Sequence, residues 1–154
     1  MMYLSKHFTL DELTKSATAQ RKGIDNTPNA EELENLQRLV DNILEPLRQH
    51  YGRAIIITSG FRCEKLNKLV GGSPTSQHRF GQAADIRSVS DRLADNKELF
   101  DMIKEMKLPF DQLIFEYGND AGPDWVHVSF SPKMRHQVLR AKKVGKKTVY
   151  TQEE

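Results

Sequence analysis

Ser76-Gln77-His78-Arg79-Phe80-Gly81-Gln82-Ala83-Ala84-Asp85 reads S-x-H-x-x-G-x-A-x-D and sets an imidazole and a carboxylate seven residues apart. A helix would bring positions i and i+7 onto one face. Gly81 inside the stretch and the polar Ser73-Pro74-Thr75-Ser76 ahead of it favour a loop instead, one that enters a short strand at Ala83-Ala84-Asp85-Ile86. Imidazole with carboxylate suits a borderline ion such as zinc, but this makes two ligands and a zinc site needs more. The chain has five histidines, and His127 in Asp124-Trp125-Val126-His127-Val128-Ser129 is the natural third, on a stretch that alternates like a half-buried strand. His78, Asp85 and His127 with an open fourth position are the donor set of a catalytic zinc centre holding one ion.

Three motifs, S-x-H-x-x-G-x-A-x-D, the later W-V-H-V-S, and the upstream Ser59-Gly60-Phe61-Arg62, occur in this order over residues 59–129. Together they resemble the zinc D-alanyl-D-alanine carboxypeptidases and related peptidoglycan peptidases. That group includes endolysins cutting the L-alanyl-D-glutamate bond, vancomycin-resistance dipeptidases and, more distantly, the Hedgehog signalling domain. The resemblance implies that His78, Asp85 and His127 are the ligands and that the carboxylate at Asp124 is the general base, a position often held by Glu. On a strand the side chains of Asp124 and His127 point to opposite faces, so they converge only if a turn or bulge precedes Trp125. Glu116, ending the neighbouring strand, is the reserve candidate for the base. Arg62 is expected to stabilise an oxyanion or hold a substrate carboxylate. Ser76 is expected to orient a ligand or substrate, Gln77 and Arg79 to line the cleft, and Trp125 to belong to the core.

The elements that must position these groups read as follows. Thr9 caps a short helix over Thr9-Leu10-Asp11-Glu12-Leu13 with Glu12 at the capping-box position, and the polar stretch 16–27 reads as loop. Asn29 caps the main helix, whose apolar stripe is Leu33, Leu36, Val40, Ile43, Leu44 and Leu47; Pro46 is expected to kink it, and Tyr51-Gly52 ends it. Ala54-Ile55-Ile56-Ile57-Thr58 is a central strand, and a short helix over 64–69 closes at Gly71-Gly72. After the metal loop, Ser88 or Ser90 caps a second long helix stopped by Pro109. Gln112-Leu113-Ile114-Phe115-Glu116 and 125–130 form two strands, and a closing hairpin turns around Gly145. This order gives an α+β domain with a largely antiparallel sheet flanked by helices, and the resemblance implies the Hedgehog/DD-peptidase fold.

A chain of 154 residues fits one domain over 1–154, with 1–28 as a short helix and loop and 131–154 as a basic hairpin and tail. Hydrophobic content of 38% against 29% charged residues is an ordinary soluble balance. No apolar run approaches the ~18–20 residues of a membrane span, so no membrane insertion is expected. The single cysteine, Cys63, excludes an internal disulfide. Met1-Met2-Tyr3-Leu4-Ser5-Lys6-His7 shows no secretory signal, which predicts synthesis in the cytoplasm and action on the wall after holin-type release or as a virion component. Residues 133–147 carry seven Lys or Arg and no acid. That run reads as a solvated sheet edge, with nucleic acid not expected as a partner because aromatic interleaving is poor. The expected activity is therefore zinc-dependent cleavage of peptidoglycan stem peptides by a monomer, as an L-alanyl-D-glutamate endopeptidase. The rivals are a D-alanyl-D-alanine carboxypeptidase and a non-catalytic zinc-binding module of the same fold.

Overall fold

A computed structural model describes residues 2–153. Helix α1 (Leu10–Thr14) opens with the anticipated reciprocal cap: Thr9 accepts from the Glu12 amide while Glu12 accepts from the Thr9 amide. The next stretch departs from the loop reading, because Ala17–Lys22 forms α2. Ser16 caps it by accepting from the Ala19 amide at 3.1 Å, and Gly23 ends it at φ +64. Six residues are too few to show a helical stripe, so only the two caps betray it.

Helix α3 (Ala30–Leu39) begins with a second capping box, Asn29 with Glu32. It then passes without a break through a π-helical turn (Val40–Leu44) into α4 (Glu45–Tyr51). Pro46 has no N–H for the carbonyl of Asn42, and its ring would press on that carbonyl. Widening the helix by one residue just ahead of the proline accommodates both faults, so a π turn stands where a kink was expected. Leu36, Leu39, Val40, Ile43, Leu44 and Leu47 are all fully buried.

The sheet contains β1 (Ile55–Ser59), β2 (Ala83–Ser88), β3 (Gln112–Glu116), β4 (Trp125–Ser129), β5 (Gln137–Val144) and β6 (Lys147–Gln152), in spatial order β1-β2-β4-β3-β5-β6. All neighbours are antiparallel except β3 and β5. The α+β reading with a largely antiparallel sheet therefore holds, and β6 is an edge strand, while the basic run 133–147 is carried mainly by β5 and the segment before it. Helix α5 (Glu64–Leu69) follows β1 and α6 (Leu93–Glu105) follows β2. The N-cap of α6 is Arg92 rather than a serine; Ser90 instead accepts from the Arg92 amide and bonds Asp95 at 2.6 Å.

Strand alternation divides the sheet into two faces. Ala84, Ile86, Leu113, Phe115, Val126 and Val128 join the buried stripe of α3–α4 and Leu99, Phe100 and Ile103 of α6 in one core. Asp85, Ile114, Glu116 and His127 point the other way, toward a cleft. No helix among the described residues is long and apolar enough to cross a membrane.

Candidate metal centre

β1 and β2 stay in register from Ile55↔Ser88 to Ile57↔Ile86 and then slip, so that Ser59 opposes Asp85 and Thr58 is the extra residue. A bulge bends its strand, and this one swings Gly60-Phe61-Arg62 across the end of the metal loop. Phe61 anchors the crossing, with 2% exposure and its amide on the Leu13 carbonyl at 2.7 Å. The Arg62 amide reaches the His78 carbonyl at 3.0 Å, and the Gly60 carbonyl lies 2.8 Å from His78 Nδ1. A carbonyl only accepts, so Nδ1 carries the proton and Nε2 is left as a lone-pair donor, the tautomer a metal ligand needs. A Cβ on Gly60 would collide with the Leu13 carbonyl. Gly60→Ala is therefore expected to cost about 1–3 kcal/mol of stability, and an unchanged thermal midpoint would contradict this packing.

The metal loop folds as a 3₁₀ turn, Gln77–Phe80, capped by Ser76, whose hydroxyl accepts from the His78 amide at 3.3 Å. Gly81 ends the turn at φ +73, with the Glu32 carbonyl 2.5 Å from where a Cβ would stand. Asn35 of α3 donates to the Phe80 carbonyl at 2.9 Å. The main helix thus braces the loop from behind, and only glycine has both the conformation and the clearance at that point.

Register brings the remaining donors together, since Asp85 pairs with His127 across β2 and β4. Asp85 Oδ1 is 3.0 Å from His127 Nδ1 and 3.3 Å from His78 Nε2, and one donor atom from each of the three residues lies within 4.8 Å of the others. Burial pushes the Asp85 pKa upward, but the two imidazoles outweigh it and hold the carboxyl well below its ordinary range. Two imidazole nitrogens and an ionised carboxylate, with one imidazole fixed from behind by a carbonyl, are consistent with zinc.

The cluster opens into a cavity of about 840 Å³. Arg62, Ser76, Gln77, Glu116 and Trp125 line it; Asp124 and Arg79 do not. Arg79 pairs with Glu64 at 3.3 Å and lies over the Phe80 ring. Asp124 is exposed just ahead of β4, with its backbone tied to the Glu116 carbonyl and to buried Asn96. Glu116 is 7% exposed and paired with Trp125, two residues along the strand from the Ile114–His127 pair and on the same face. Burial drives its pKa up to about 7, with Asp85 adding to the rise and His127 opposing it.

Trp125 belongs to the cleft wall rather than the core, and its indole nitrogen has no protein partner. Five buried side-chain polar atoms among the described residues lack a partner. Three of them, on Arg62, Gln77 and Trp125, belong to residues lining this one cavity. Buried polar atoms are normally satisfied by protein or ordered water, so these three are left to water or substrate in the cleft.

Sequence reasoning missed part of the wall. Tyr150 of β6 lines the cavity, and burial raises its pKa, with the charges of Glu116, Tyr117 and Asp85 adding to the rise. Lys133 and Arg135 close another side. Strand parity on β5 and β6 was the available signal, but it needs the pairing partners, which no local pattern names. No curated protein matches the chain significantly. A family model described as Peptidase M15 matches residues 6–129, a span containing the three donors, Arg62 and Glu116, and the chain belongs to that family of zinc D-Ala-D-Ala carboxypeptidase- and endolysin-type metallopeptidases.

Proposed function

We propose that the protein is a zinc peptidase acting on the stem peptides of bacterial peptidoglycan, and that it cuts within the stem at the L-alanyl-D-glutamate bond. The observation that carries this reading is the His78, Asp85 and His127 donor set at the floor of an open cavity that also contains the buried carboxyl of Glu116. Zinc held by that set supplies the Lewis acidity that makes water a nucleophile near neutral pH. Glu116 is the general base: its carboxylate takes the proton as water adds to the scissile carbonyl carbon, then returns it to the amine nitrogen as the C–N bond breaks. Arg62 faces the developing oxyanion as a fixed charge, held by its amide on the His78 carbonyl. The Trp125 indole N–H is a further donor to substrate.

The cavity favours an endopeptidase. It extends past the Ile114–His127 pair in both directions, to Glu116, Trp125 and Tyr150 on one side and to Gln112, Gln77 and Gln137 on the other. Substrate residues therefore have room on both sides of the scissile bond, whereas removal of one terminal residue needs a short, closed side. Digestion of purified sacculi, with the products identified by mass spectrometry, is expected to yield new glutamate N-termini. Free D-alanine without them would assign a carboxypeptidase. Neither product from zinc-loaded protein would assign a non-catalytic module.

A further inference from the structure

Asp111 has no exposed side-chain surface and accepts five hydrogen bonds. Arg135 supplies three: its amide and Nε to Oδ1 at 2.9 and 2.8 Å, and Nη2 to Oδ2 at 2.9 Å. Ser131 and Gln77 supply the others, each to Oδ2 at 2.8 Å. One buried carboxylate thus ties the residue next to His78 to an arginine on the segment leading into β5. Those bonds leave Nη1 of Arg135 without a protein partner, on a side chain that is 40% exposed and lines the cleft. The residues flanking it, Met134 and His136, have φ of +42 and +51. Non-glycine residues take that conformation only when their surroundings enforce it. Lys133, also on the cleft wall, has no ion-pair partner among the described residues.

This cationic corner sits at the Gln112–Gln137 end of the cleft, and Glu116 sits at the other end with the metal set between them. Gln112 and Ile114 are two residues apart on β3, roughly 6.6–6.8 Å, so the corner is offset from the donor set by about two extended substrate residues. Both cations follow residue 129 and so lie outside the span the family model matches.

We propose that Arg135 and Lys133 form a carboxylate-binding subsite that selects stem peptides bearing a free carboxylate within about two residues of the scissile bond, with Asp111 as the residue that positions Arg135. Asp111 fixes the guanidinium plane, so that Nη1 meets the carboxylate already oriented, and Lys133 adds a mobile second charge. Two sources offer the same chemistry: the α-carboxylate of the stem glutamate and the carboxylate ending the peptide.

This assignment rests on the peptidase reading, and the test separates the two. Stem peptides are prepared with both carboxylates free, with the glutamate carboxylate amidated, and with the terminal one amidated. Their kcat/KM is measured on zinc-loaded protein, and their affinity by calorimetry on zinc-loaded Glu116→Gln. Amidation at one of the two positions is expected to lower both quantities roughly 10- to 100-fold, the fold-change of one charge-assisted hydrogen bond, and the position that matters identifies the source. In Lys133→Gln and in Arg135→Lys the acid-to-amide ratio is expected to fall toward one. Lys133 is exposed, so that substitution leaves folding intact, and the ratio is insensitive to a general loss of activity. Equal handling of acid and amide peptides by the wild type, or a ratio unchanged in both variants, overturns the subsite. Absence of any cleavage refutes the peptidase reading, while the affinity ratio still decides the subsite.

Discussion

Glu116→Gln is expected to keep its zinc and lose about 10²–10⁴-fold in kcat, the usual contribution of a general base. Asp124→Asn, in contrast, is expected to hydrolyse at close to the wild-type rate. Asp124 is exposed and outside the cavity, while Glu116 is buried inside it on the same sheet face as His127. The reverse outcome, a slow Asp124→Asn and a fast Glu116→Gln, would return the role to Asp124. The same variant has a signature in metal-free protein that does not depend on turnover. Burial raises the Glu116 pKa from 4.5 to about 7, so the folded state holds this proton more tightly than the unfolded chain does. The resulting stabilisation is complete below pH about 4.5 and is lost as pH rises through about 7. At 1.36 kcal/mol per unit it amounts to about 3 kcal/mol. Denaturant midpoints of chelator-treated protein at pH 5 and pH 8 should therefore differ more in the wild type than in Glu116→Gln. Parallel pH profiles for the two proteins would mean that Glu116 is not held in a desolvated place.

The competition between Glu116 and Asp124 shows what could be seen before the fold was known. Strand parity set Asp124 on the face opposite His127 unless a turn or bulge preceded Trp125; β4 pairs without a bulge, and Asp124 stands at a bend just ahead of it, exposed and outside the cavity. Parity alone could not promote Glu116, because its place beside the metal set depends on which residue of β3 meets Trp125. Local chemistry was otherwise a good guide. Both capping boxes, at Thr9 and Asn29, depend on contacts three residues apart, and the metal loop is a ten-residue motif whose turn is capped by Ser76 and ended by Gly81. What escaped was long-range or too short to repeat. Helix α2 has no room for a stripe, and the parallel pairing of β3 with β5 is a choice among partners. The Asp111 network joins residues 77, 131 and 135 through a carboxylate with nothing in its own neighbourhood to announce it. The π turn before Pro46 is intermediate: the proline announced a fault, but its resolution by widening was decided by the continuous burial of Val40, Ile43 and Leu44.

His78→Ala and His127→Ala should each abolish stoichiometric zinc and, with it, hydrolysis, the largest loss expected from any single substitution in the chain. Removing a group that merely orients a ligand typically weakens metal binding about 10–100-fold, and removing a ligand should exceed that. The two variants differ in what they leave behind. His78 is 3% exposed and carries the bond to Gly60 that connects the metal loop to the β1 bulge, so its loss also loosens the loop. His127 Nδ1 lies 3.0 Å from Asp85 and sits in the middle of β4, where the ladder holds the backbone regardless of the side chain. His127→Ala is therefore the cleaner probe, with the fold kept and one donor gone. Zinc that binds only the folded state stabilises it by about 2.7 kcal/mol at a hundredfold excess over Kd. Adding zinc to chelator-treated wild type should thus raise the thermal midpoint, and adding it to His127→Ala should not. Because the donors must be deprotonated, the wild-type rise should also shrink as the pH is lowered. Near-stoichiometric zinc in both variants, or an equal zinc-induced rise in His127→Ala, would place the metal elsewhere and leave the cleft without its centre.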